Sequence, residues 1–204
     1  MPRALGRRFF TRDVLVVAPA LLGCTVSHAG VTVRLTEVEA YGGQGSDPGS
    51  HAFRGPSPRT APMFDVGGTA YVYFTYGMHW CLNLVTGPAG RAGAVLLRAG
   101  EVVEGHDLAA VRRPGVRPRD WCRGPARLTT TLAVDGSVSG LDLCSEGAAV
   151  VIRPPGRGTE PLVVRSGPRV GVSGPGGEAA SYPWRFWAEG EPTVSPYRPA
   201  KPRV

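Results

Sequence analysis

Within Leu35–Gly43, LTEVEAYGG, two carboxylates and a phenol stand at alternate positions: Glu37, Glu39 and Tyr41. A shielded carboxylate can take a proton from an attacking water, and its charge favours positive charge building on the carbon under attack. Upstream, Val31, Val33 and Leu35 alternate with polar residues in the period-2 pattern of a half-buried strand. Continued, that alternation puts Glu37, Glu39 and Tyr41 on the same inward face. Glu37 then lies about 6 to 7 Å behind Glu39, where its expected role is to bind an arginine. Glu39 is the acid expected to line a pocket.

Four of the 6 tyrosines (Tyr41, Tyr71, Tyr73, Tyr76) fall between positions 41 and 76. Tyrosine offers a flat face for base stacking and a hydroxyl for orientation, although it is also a good strand former. "AYVYFTYGMHWCLNLV" reads as a β-hairpin turning at Tyr76-Gly77. Its tip carries Tyr76 with Met78, His79 and Trp80 nearby, where small polar residues are usual. Either the tip folds back onto a neighbouring loop, or it is a wedge that enters the minor groove of DNA and parts stacked bases.

The elements that must position these residues are short. One helix is expected within Phe9 to Leu22, capped by Thr11 and ended near Gly23. Strands are expected at Cys24–Val26, Val31–Tyr41, Ala70–Tyr76, Met78–Val85, Ala94–Ala99, Leu141–Ile152 and Leu162–Val164. Further helices are expected at Glu101–Arg113 and Pro125–Leu132. A long loop, Gly42 to Gly68, is too rich in Gly, Pro and Ser to be regular, and a loop of that length is usually functional or disordered. "GGQGSDPG" falls short of a dinucleotide fingerprint, because Pro48 stands where the third glycine belongs and no helical pattern follows. "GVSGPGGEAASYPWRF" reads as another loop, and "PYRPAKPRV" as a tail that does not pack tightly.

With 204 residues, 42% hydrophobic, the chain suits one domain with a sizeable core. No apolar run reaches the length of a membrane span and no signal peptide is read, so the cytoplasm is the expected location. The 4 cysteines are scattered with no C-x-x-C, so reduced thiols and no metal are expected. Net charge is +7, and Lys201 is the lone lysine among 23 basic residues. A basic chain without metal motifs favours a polyanionic partner, with simple solubility as the alternative use of the charge.

Taken together, "EVEAY", "SHAFRG", "PRTAPMF", "AYVYFTYGMHWCLN" and "AVLLRA" resemble, in order and separation, the 3-methyladenine DNA glycosylases of the alkyladenine type. The likeness extends through "RGPARL", "PRVGV" and "PWRF" and leaves the C-terminal tail outside, so one glycosylase domain over 1–190 and a Pro/Arg-rich tail over 191–204 are expected. The resemblance implies a mixed α+β, mainly antiparallel single domain: a curved, partly barrel-like sheet, a protruding hairpin and short peripheral helices. It implies base excision, in which a damaged purine is flipped out of duplex DNA and its N-glycosidic bond hydrolysed by a monomer working near the bacterial nucleoid. No cofactor is implied.

Position by position, Glu39 matches the acid that activates the attacking water, and Arg98 the arginine beside it. Tyr41, His51 and Tyr73 match the walls around the flipped base. Asn83 matches the asparagine that disfavours guanine through its exocyclic amine, and Tyr76 the intercalating residue. Arg59, Arg123 and Arg127 are candidates for phosphate contact, "RGPAR" preceding an expected helix N-terminus. Family members often carry Lys-Thr-Pro-Arg-Asn where this chain has Pro56-Ser57-Pro58-Arg59-Thr60, a change in the loop that bears His51.

Two independent arguments bear on the chemistry. An alkylated purine is often cationic, and aromatic walls then gain a cation–π contribution of about 0.5–2 kcal/mol. Glycosylases that also cut the strand need an amine for a Schiff base, and Lys201 sits in the tail. Only an N-terminal Pro2 amine offers an escape, so a monofunctional hydrolase is expected. The competing classes are a non-catalytic binder of damaged DNA, for which a shielded Glu39 would be a liability against phosphates, and a nucleoside hydrolase, which needs neither an aromatic hairpin tip nor positive charge.

Overall fold

The computed structural model describes residues 2–75, 77–156 and 158–200. Eight strands are named in chain order: β1 Thr25–His28, β2 Val31–Tyr41, β3 Ala70–Thr75, β4 His79–Val85, β5 Ala94–Glu104, β6 Val151–Arg153, β7 Val164–Gly167 and β8 Arg185–Ala188. They join in one sheet of order β3-β4-β5-β2-β1-β6, and β8 pairs with both β2 and β7. Every pairing is antiparallel. The sheet forks along one edge of β2, where β1 pairs with Val31–Arg34 and β8 with Glu37–Glu39.

Helices α1 Arg7–Phe10, α2 Val14–Ala20, α3 His106–Arg112 and α4 Pro125–Leu132 surround the sheet. Leu128 and Leu132 of α4 and Val17 and Ala18 of α2 meet Val33, Leu35, Leu82, Leu84, Val95 and Leu97 in the main apolar core. The mixed, mainly antiparallel single domain expected from the sequence is therefore the fold observed.

Several expected boundaries are corrected. The single N-terminal helix is two, because the Asp13 carboxylate, rather than Thr11, accepts from Leu15 N at 2.8 Å and starts a second helix. The helix expected from Glu101 begins at His106, since β5 runs on to Glu104 and Gly105 turns at φ 78. The strand expected over Leu141–Ile152 shrinks to Val151–Arg153. Asp142 caps Cys144 N at 2.8 Å and draws that stretch into turns. The loop ending in "YPWRF" contributes β8.

The inward-face expectation for β2 also changes. Val38 and Ala40, not Glu37 and Glu39, continue the core stripe of Val31, Val33 and Leu35. The register against β5 slips between Leu35 and Glu37, leaving Thr36 as an extra residue. Such a bulge reverses which positions face the core. Thr36 and Glu37 consequently both reach the same C-terminal segment: Thr36 Oγ1 to Thr193 Oγ1 at 2.9 Å, and Glu37 to Ser195. Both carboxylates thus lie on the face opposite the main core.

Candidate active site

That second face is organised by register. Tyr71 of β3 stands across from Asn83 of β4, Asn83 from Leu96 of β5, Leu96 from Glu39 of β2, and Glu39 from Arg185 of β8. Cross-strand partners project from the same face, so five strands contribute one row to the site. Tyr73 faces Cys81 one step along the hairpin. Arg98 is the extra residue of a second slip, between Glu37↔Ala99 and Val38↔Leu97, and reaches across to both carboxylates.

The polar centre is dense. Glu37 is fully buried and accepts from Arg98 Nε at 2.8 Å, Arg185 Nε at 2.7 Å, and Ser195 N and Oγ at 2.7 and 2.9 Å. Burial alone would raise its pKa, but the Arg98 and Arg185 guanidinium groups and the Ser195 donors hold it below the usual carboxylate range. Glu37 thus binds arginine, as expected. Glu39 accepts from Val170 N at 2.7 Å, Tyr41 Oη at 2.9 Å and Arg98 Nη1 at 3.2 Å. Burial opposes the charge on Arg98, yet Glu39 and Glu37 raise its pKa, so it stays a cation. Burial first and the Glu39 charge next push the Tyr41 phenol well up, which keeps it a donor at neutral pH.

A cavity of about 1370 Å³ opens on this face. Tyr41, His51, Tyr73, Asn83 and Arg98, all named from the sequence, line it together with Val170. Glu39 does not line it, which corrects the expectation. The carboxylate has no exposed surface and sits one layer behind its three partners Tyr41, Arg98 and Val170, each of which does face the cavity. Three of the roughly four lone-pair sites of that carboxylate are used.

The aromatic walls support one another. The His51 ring meets Tyr73 edge-on at 4.6 Å, and His51 Nδ1 is 3.1 Å from Tyr71 Oη. Asn83 Nδ2 donates to Tyr71 O at 3.0 Å and Cys81 O at 3.4 Å, which fixes its side chain at the cavity wall. Arg59 places its guanidinium 5.5 Å from the Tyr73 ring centre. Although the His51 ring is reached from the cavity, the protein around it disfavours the imidazolium and the Arg59 charge adds to this, so its pKa falls below 6.5. The folded state thus resists a proton that the unfolded state takes up. The stability His51 contributes is whole above 6.5 and is lost as pH falls through its folded value. An NMR titration should find His51 below 6.5 in the native protein, and Arg59→Met should recover only the smaller part of the displacement.

Sequence reasoning missed the device that holds these walls. Arg169, fully buried, makes a double ion pair with Asp47, Nη1–Oδ2 and Nη2–Oδ1 both at 2.7 Å. Its guanidinium also donates to Ala40 O and Gly176 O and lies 4.6 Å from the Tyr41 ring centre. Asp47 accepts from Gly42 N and Gly49 N as well. A Cβ on Gly49 would come within 2.5 Å of Arg169 Nη2, so the loop can approach the guanidinium this closely only because that position is glycine. The long loop is therefore held rather than loose, with Ala52 and Met63 packed against Tyr71. Only "PRVGV" hinted at this cluster, and nothing in its spacing named Asp47 as the partner.

The C-terminal segment is also more engaged than its composition suggested. Thr193 and Ser195 are buried against β2, and Arg123 Nε donates to Val194 O at 2.9 Å while pairing with Asp120. Arg123 is thus committed internally. Arg127 is exposed, with no ion pair among the described residues. Among the described residues of the hairpin tip, Met78 is 68% exposed and Phe74, packed on Trp80, is 45% exposed, so these two do not fold back onto the loop. Tyr76, expected to intercalate, lies outside the described residues.

A profile of the methylpurine-DNA glycosylase family (MPG) matches residues 8–192. Proteins provisionally named 3-methyladenine DNA glycosylase match over nearly full lengths. The one from Frankia casuarinae is 54% identical, covering 97% of this chain and 95% of its own. Those from Streptomyces avermitilis and Leifsonia xyli subsp. xyli are 52% and 49% identical, covering 98% and 95% of this chain and 94% and 92% of their own. The chain belongs to the methylpurine-DNA glycosylase family. It is accordingly a DNA glycosylase, of the hydrolases that act on N-glycosyl bonds in DNA repair.

Proposed function

We propose that the protein is a monofunctional glycosylase that flips alkylated or otherwise damaged purines out of duplex DNA into the cavity and hydrolyses the N-glycosidic bond. The observation that carries this reading is the convergence of Tyr41, His51, Tyr73, Asn83 and Arg98 on one cavity, with the Glu39 carboxylate directly behind. Tyr41 and the Tyr73–His51 pair hold the extruded base by stacking. Asn83, its amide already committed to backbone carbonyls, discriminates against the guanine amine. Glu39 supplies negative charge against the oxocarbenium-like sugar from behind Tyr41 and Arg98 and serves as the base toward the attacking water, with Arg98 orienting the carboxylate. Tyr76 fills the space left in the duplex. Arg127 is the better placed phosphate contact in its stretch, since Arg123 is tied to Asp120 and Val194.

The test is product analysis on duplexes bearing a single methylated, deaminated or bulky purine. Free base and an intact strand that breaks only on alkali treatment are expected, with no covalent adduct after borohydride reduction. A borohydride-trapped adduct would overturn the monofunctional mechanism, and no base release from any of these duplexes would overturn the reading as a whole.

A further inference from the structure

Residues 193–200 lie beyond the family match, which ends at 192, yet they are built into the reaction site. Ser195 donates from N and Oγ to Glu37 and accepts from Arg185 Nη2 at 2.7 Å through its carbonyl. Its Oγ is 3.5 Å from Arg98 Nη2. Three residues on, Arg198 O accepts from Gly171 N at 3.0 Å. Gly171 follows Val170, whose amide holds Glu39. The chain is thus pinned on either side of Tyr197, at one end to the carboxylate–arginine network and at the other to the strand of backbone that binds Glu39. Pro196 between these anchors and Pro199 just beyond them stiffen the segment by fixing φ.

Among the described residues, Tyr197 itself makes none of these anchoring bonds. The residue is 46% exposed, and it lines the cavity along with Pro199 and Ala200. An aromatic ring held on a stiff, doubly anchored segment loses little conformational freedom on binding, and its flat apolar face suits a nucleobase.

From this geometry we infer that Tyr197 is a further substrate-binding residue, an additional aromatic contact to the extruded nucleotide on the side of the cavity next to Glu39 and Arg98. The inference rests on the glycosylase reading above. It places part of the substrate grip on a segment that composition alone assigns to a tail.

Single-turnover release from duplexes carrying one hypoxanthine or one 7-methylguanine separates binding from chemistry. Tyr197→Ala should raise the half-saturating enzyme concentration about tenfold, in the range of one lost base–aromatic stack, while the plateau rate stays within about twofold. Tyr197→Phe should restore the parent value, because the ring rather than the hydroxyl makes the contact. An unchanged half-saturation point for Tyr197→Ala would overturn the inference, as would a fall confined to the plateau rate, which would mark a structural role. Equal losses in the alanine and phenylalanine variants would overturn it too. Absence of release by the unmodified enzyme would instead bring down the functional reading, and this inference with it.

Discussion

Replacing Arg169 with methionine is expected to lower the melting temperature by about 6–20 °C. The substitution leaves the Asp47 carboxylate with no exposed surface and only two backbone donors, Gly42 N and Gly49 N. Removing one partner of a buried pair costs about 3–5 kcal/mol because the other charge stays uncompensated. In a chain of this size each kcal/mol is worth about 2–4 °C. Asp47→Asn should cost less, since Arg169 keeps its bonds to Ala40 O and Gly176 O. The double variant Arg169→Met/Asp47→Asn should regain part of the loss, because the stranded charge is gone. Base release should fall with the pair, as it backs Tyr41 and immediately precedes the Val170 amide that holds Glu39. Calorimetry on the three variants checks the order. A melting temperature for Arg169→Met within about 2 °C of the parent would show that the pair is not what holds the loop.

That clamp also shows where the sequence stops being readable. Period-2 alternation located β2 at Val31–Tyr41, and the Pro-initiated pattern located α4 at Pro125–Leu132, with both bounds as observed. Both signals are local. The face of Glu37 and Glu39 was misjudged because alternation cannot register a bulge, and one extra residue at Thr36 moves every later side chain to the other face. Likewise the apolar residues of 141–150 looked like a strand until the Asp142 carboxylate claimed the Cys144 amide. Tyr41, His51, Tyr73, Asn83 and Arg98 were legible through the family resemblance, and the cavity gathers all five. Asp47 and Arg169 were not, being 122 positions apart in two glycine-rich loops with no pattern linking them. The composition of residues 191–204 suggested a tail because proline and arginine dominate it. Ser195, which ties the segment to Glu37, has nothing in its surroundings that would single it out.

Glu39→Gln is the substitution with the largest expected effect on chemistry. Glutamine keeps the shape of the side chain but removes both the charge and the base. An amide also mismatches its surroundings, since Val170 N, Tyr41 Oη and Arg98 Nη1 all donate to this carboxylate. General-base catalysis is worth about 10²–10⁴-fold, and the charge opposite a developing cation adds to it. Release at saturating enzyme should therefore fall by about 10³-fold or more. Binding to a lesion duplex should hold or tighten, because a negative charge near the phosphates has been removed and the aromatic rings that grip the base are all retained.

The decisive measurement pairs these two quantities on one lesion duplex: single-turnover release rate and equilibrium affinity for Glu39→Gln beside the parent enzyme. Loss of release by about three orders of magnitude at an affinity within about threefold is the outcome expected of a carboxylate that serves the reaction from behind Tyr41 and Arg98. A variant that keeps more than a tenth of the parent rate, or that loses affinity in step with rate, would contradict that role and leave Glu39 a structural ion pair.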